Sequence, residues 1–78
     1  MKANARKNIC GSRVRNARID RNWTQDDLSR ALGKSCPVGR AGIAKIELGL
    51  RQVYDFESVR LAKVLRVDLK WLLTGKKT

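Results

Sequence analysis

The sequence predicts an all-α domain of five short helices, and three observations carry the prediction. Apolar residues recur at helical spacing in Leu28, Ala31 and Leu32, in Ile43 and Ile46, and in Leu69, Leu72 and Leu73. Residues that favour helix starts (Thr24, Asp55, Asp68) precede these runs, and glycines that favour helix ends (Gly33, Gly49, Gly75) follow them. No stretch reads convincingly as a strand. At 78 residues the chain is one domain, near the lower limit for a core without disulfides or metal.

Residues 1–8, MKANARKN, read as a basic arm, residues 9–75 as the folded body and 76–78 as a tail. The first helix runs from Ile9 or Ser12 to about Arg21. Val14, Ala17 and Ile19 are its apolar positions, and Arg18 sits beside that stripe. Trp23 reads as a buried ring. The second helix begins at Thr24, whose hydroxyl can accept from a first-turn N–H. Asp26 and Asp27 then meet the positive end of the helix dipole. The third helix spans about 39–48. Ile43, Ile46, Glu47 and Leu50 share one face, with Ala41, Ala44, Lys45 and Leu48 opposite. Ahead of it, Ser35-Cys36-Pro37-Val38 either lengthen the loop or add a turn, since proline suits a first helical position. A connector carrying Arg51 leads to a fourth helix capped by Asp55. Its candidate faces are Val59, Ala62 and Leu65, or Phe56, Val59 and Lys63. A short fifth helix starts at Asp68.

Charge separates the function classes. Eighteen Lys plus Arg against seven Asp plus Glu give +11, the electrostatic footprint of a polyanion binder. Asp26, Asp27, Asp55, Glu57 and Asp68 all fall at predicted helix starts, which leaves a nearly unopposed basic field. An enzyme is excluded on inventory. Without histidine there is no base with an ordinary pKa near neutrality, and Cys10 and Cys36 have no activating partner. Two thiols alone cannot complete a zinc site, so no metal and no cofactor are expected. Both cysteines read as small apolar residues. No secretory signal and no membrane-spanning run are recognised, which predicts a cytoplasmic protein without membrane or small-molecule partners.

The stretch Thr24–Gly49 carries a resemblance. Thr24-Gln25, Ser29, Gly33, Ile43, Ile46 and Glu47-Leu48-Gly49 resemble the helix-turn-helix of Xre/Cro/CI-type phage and bacterial regulators. Ser29 stands where that family usually has alanine. Gly33 to Ile43 is ten positions where the pattern has six. The resemblance covers about Gly11 to Gly75, and implies a five-helix lambda-repressor-like fold with an ion pair between Arg18 and Glu47.

It also implies a sequence-specific transcriptional regulator, a repressor, acting on a double-stranded DNA operator. In a helix-turn-helix the second helix lies in the major groove. Arg40, Ala41, Ala44 and Lys45 are then expected at base edges. Arg13, Arg15, Thr24, Gln25, Lys34 and Arg51 are expected on the DNA backbone, with Arg21 as a further candidate. A homodimer on a pseudo-palindromic site is expected, with Leu69, Trp71, Leu72 and Leu73 at the dimer contact. The alternative is an antitoxin-like module that binds a partner protein and its own operator. A third possibility is nonspecific polyanion or RNA binding.

Overall fold

A computed structural model describes residues 6–77. It contains α1 (Gly11–Asp20), α2 (Gln25–Leu32), α3 (Arg40–Glu47), α4 (Asp55–Leu65) and α5 (Leu69–Thr74). No strand occurs among the described residues. The five helices agree with the all-α architecture expected from the sequence. Helix α3 packs against both α1 and α2, while α4 packs against α1, α2 and α5.

Each helix contributes a stripe to one core. Val14 and Ala17 of α1 meet Leu28 and Leu32 of α2, Ile43 and Ile46 of α3, Leu61, Ala62 and Leu65 of α4, and Leu72 of α5. Most are fully buried, and each such aliphatic side chain stabilises the fold by roughly 1.5–3 kcal/mol. On α4 the buried apolar residues are Leu61, Ala62 and Leu65; Val59, which both candidate faces share, is exposed, as is Phe56. Ile19 and Leu50, expected on apolar faces, are exposed as well. Leu50 lies beyond the end of α3, so the helical register no longer governs it.

Helix starts and stops follow local chemistry. Thr24 and Asp27 form a reciprocal cap: the Thr24 hydroxyl accepts from the Asp27 amide, and the Asp27 carboxylate accepts from the Thr24 amide. Asp68 accepts from the Trp71 amide and starts α5. The expectation that Asp55 caps α4 is corrected. The cap position is Tyr54, whose amide donates to Glu57, and Asp55 lies in the first turn. Helix α3 ends in a Schellman motif, with Gly49 donating to Ile46 and Leu50 donating to Lys45. The φ of Gly49 is +77°, which suits glycine. Helix α4 ends in the same motif, but Arg66 occupies the left-handed position at φ 58°.

The four additional residues lengthen the loop rather than adding a turn, because α3 starts at Arg40 after a Gly39 cap. The loop is nailed down at two points. Cys36 is 1% exposed and Val38 5%. The Ser29 hydroxyl donates to the Val38 carbonyl at 2.6 Å, so a small polar residue on α2 fixes the loop's return to α3. Cys10 is equally buried, and burial pushes both thiols above their ordinary pKa.

Candidate nucleic-acid interface

The sequence separates the two sides of α3, and tertiary contacts lock that separation in place. Ile43 and Ile46 face the core, and Glu47 is buried beside them. Arg18 approaches Glu47 in a fork, with Nε to Oε2 at 2.7 Å and Nη2 to Oε1 at 3.0 Å. Its third nitrogen donates to the Trp23 carbonyl at 2.7 Å, and Gln25 donates to Glu47 Oε1 at 3.1 Å. Helix α1, the turn before α2, and α2 itself are thus tied to one carboxylate at the end of α3. The guanidinium of Arg18 is held above its ordinary pKa, chiefly by the hydrogen bonds to Glu47.

With its inner side fixed, α3 presents Arg40, Ala41 and Lys45 outward, and Ala44 half-buried beside them. An open groove of about 480 Å³ runs along this helix, lined by Gly42, Lys45, Arg51, Gln52 and Lys7 among others. Lys7 reaches it because residues 6–8 are docked, not free. The Lys7 amide donates to Gly49, and the Asn8 side chain donates to the carbonyls of Ile46 (3.0 Å) and Arg51 (2.8 Å). The Asn8 side-chain oxygen also accepts from the Cys10 and Gly11 amides, at the cap position and the first residue of α1. The docked segment therefore begins before residue 9. The rest of the expected arm, residues 1–5, lies outside the described residues. Asn8 lies two residues before the cap position Cys10, so the usual cap preference does not mark this role in the sequence. Its bridge across the end of α3 has no sequence signal.

Several of the side chains expected on the DNA backbone have partners within the domain. The Arg51 guanidinium is spent internally: it grips Glu57 with two bonds of 2.9 Å and donates to the Gln52 carbonyl. Glu57, expected at the surface of a helix start, is 6% exposed. Arg13 donates to the carbonyls of Ile9, Leu72 and Leu73, so it closes the end of α5 against α1. The Gln25 amide reaches Glu47, and the Thr24 amide and hydroxyl serve the cap of α2. Ahead of that helix, the Gln25 and Asp26 N–H groups have no intrahelical carbonyl to meet. Arg15 and Lys34 are exposed, and Arg21 lies over the Trp23 ring at 4.6 Å. Of the residues expected at a dimer contact, Leu72 is 0% exposed, and Leu69, Trp71 and Leu73 are partly buried against the core.

Two helices joined by an anchored loop, the second packed on α1 and α2 with a basic outer face, define a helix-turn-helix protein of the DNA-binding class. Residues 14–72 match the Helix-turn-helix family, and the chain belongs to it, with the Xre and lambda-repressor type as the form it takes. No curated protein and no solved structure matches the chain. Among the described residues no helix is long and apolar enough to cross a membrane.

Proposed function

We propose that the protein is a sequence-specific transcriptional regulator, a repressor, that places α3 in the major groove of an operator. The observation carrying this reading is the outward row of Arg40, Ala41, Ala44 and Lys45 on a helix whose other side is locked by Arg18 and Glu47. Arg40 can grip a guanine edge bidentately, Ala41 suits a thymine methyl, and Ala44 permits close approach. The Gln25 and Asp26 amides at the tip of α2 offer donors and a positive dipole end to a phosphate. Arg15 and Lys34 supply exposed charge for the DNA backbone.

One such module makes few base contacts, so the reading includes a homodimer on a two-fold site. Apolar side chains half or more exposed and available to a second copy include Phe56 and Val59; Ile9, Leu48, Leu50 and Tyr54 are exposed as well, the last two in the lining of the groove beside α3. The rings of Tyr54 and Phe56 stack at 5.8 Å. That exposed stripe is also what favours the second reading, an antitoxin-like module covered by a partner protein. Selection from random duplex DNA tests the repressor reading; the antitoxin-like module also binds an operator and is distinguished by a stable complex with a partner protein. Enrichment of a two-fold site supports the repressor reading, and its loss of preference at one base in Lys45→Ala supports the docking. Failure to enrich any sequence overturns it.

A further inference from the structure

We infer that Lys7 is a DNA-backbone contact and that Asn8 is the residue that positions it; this rests on the DNA-binding reading above. The groove beside α3 holds three cationic side chains, Lys7, Lys45 and Arg51. Glu57 neutralises Arg51. Lys7 and Lys45 therefore supply the unbalanced charge of a concavity with no carboxylate in its lining. Lys45 shares the outward face of α3 with the base-reading candidates. Lys7 enters the same groove from the N-terminal segment, at the end of α3 where the chain turns away at Gly49. When α3 lies in the major groove, this position flanks the helix, where a sugar-phosphate strand passes. A lysine ammonium, a compact charge with three donors, suits a phosphate there.

Placement is what distinguishes Lys7 from a lysine on a loose terminus. A contact that must first be ordered gives back part of its gain as lost conformational entropy. Here the ordering is built into the fold. The Lys7 amide donates to Gly49 at 2.8 Å, and the next residue's amide clamps the carbonyls of Ile46 and Arg51. Arg6 adds to the docking by lying across Gly49, where an added Cβ would meet its Cγ at 3.1 Å. Asn8 does two separable jobs. Its oxygen accepts from the Gly11 amide at the first residue of α1, and its nitrogen bridges to α3 and the connector.

Asn8→Ser separates them, since the hydroxyl can still accept from the Gly11 amide but cannot span both carbonyls. The probes are a duplex that the wild type selects from a random pool and an unrelated duplex of equal length. Lys7→Ala should weaken both alike and make log K against log[salt] shallower by about 0.9 per subunit, which is about eightfold at ~0.1 M salt relative to ~1 M. Asn8→Ser should give the same change of slope, and adding Lys7→Ala to it should change little more. An unchanged slope in Lys7→Ala, with binding weakened by Lys45→Ala, overturns the Lys7 contact and leaves the DNA reading intact. Additive effects of Lys7→Ala and Asn8→Ser overturn the positioning role. If neither Lys7→Ala nor Lys45→Ala alters binding, the DNA reading falls and this inference falls with it.

Discussion

Glu57 is held by both terminal nitrogens of Arg51 and by the Tyr54 amide, and its carboxyl lies below the usual value of 4.5, chiefly through the Arg51 bonds. A depressed folded pKa means that the contribution to stability is complete above the unfolded value and lost as pH falls through the folded one. The stability difference between wild type and Glu57→Gln should therefore be largest above pH ~5 and shrink below pH ~4 in urea titrations. A difference that is constant with pH would show that the charge on Glu57 is immaterial. The Arg18–Glu47 pair is deeper, with side-chain exposures of 11% and 3% against 28% and 8% for Arg51 and Glu57. Removing one member of a buried pair costs on the order of 3–5 kcal/mol, against a total of roughly 0.05–0.15 kcal/mol per residue for a whole domain. Glu47→Ala should lower the melting temperature more than Glu57→Ala, and both more than the exposed Asp20→Ala. Equal melting temperatures for Glu47→Ala and Asp20→Ala would remove the lock from the account.

At the scale of elements, the ends of helices and the anchored loop make the sharpest predictions. Arg66 carries the left-handed conformation that closes α4, a position costing about 1–2 kcal/mol for a residue with a Cβ. Glycine recovers that but loses more backbone entropy on folding, about 0.5–1 kcal/mol. Arg66→Gly should therefore stabilise the domain by about 0.5–1 kcal/mol, a rise of a few degrees for a chain this short, read by calorimetry. A lower melting temperature would mean that the Arg66 side chain holds something beyond its own turn. At Gly11 the reverse holds. An added Cβ would collide with the Ile46 carbonyl, so Gly11→Ala should cost about 1–3 kcal/mol by forcing α1 off the last turn of α3. The loop before α3 hides its thiol. Cys36 and Cys10 should resist alkylation in the native protein and react once it unfolds, because only the thiolate of an accessible cysteine attacks.

Across the whole molecule, charge and exposed apolar area set the expectations. A chain at +11 whose acids Asp26, Asp27, Glu47 and Glu57 are bound by its own arginines presents its basic field with little opposition. DNA binding should fall steeply with salt, with a slope of about −0.9 for each phosphate neutralised. A flat dependence would remove DNA as the main partner. In sedimentation of the DNA complex, Phe56→Asp should shift the protein toward monomer, whereas Trp71→Glu should lower stability first. A larger shift toward monomer for Trp71→Glu would return the dimer contact to α5.

The sequence by itself determined the five helices, because caps, stops and apolar spacing are local signals that neighbouring residues suffice to write. It also determined the side of α3 that faces out, since Ile43 and Ile46 fix the inner side and Lys45 must then point away. The Arg18–Glu47 pairing was legible only through the resemblance, because nothing local joins residues so far apart in the chain. Tertiary structure alone decided which arginines remain for a ligand. Arg13 and Arg51 look like free cations in the sequence, but buried carbonyls and a buried carboxylate lie within their reach and must be satisfied. The same reason makes Asn8 a clamp rather than a loose arm residue, and draws Leu72 of α5 into the core. A short helix in so small a domain has to cover its own interior before it can offer apolar surface to anything else.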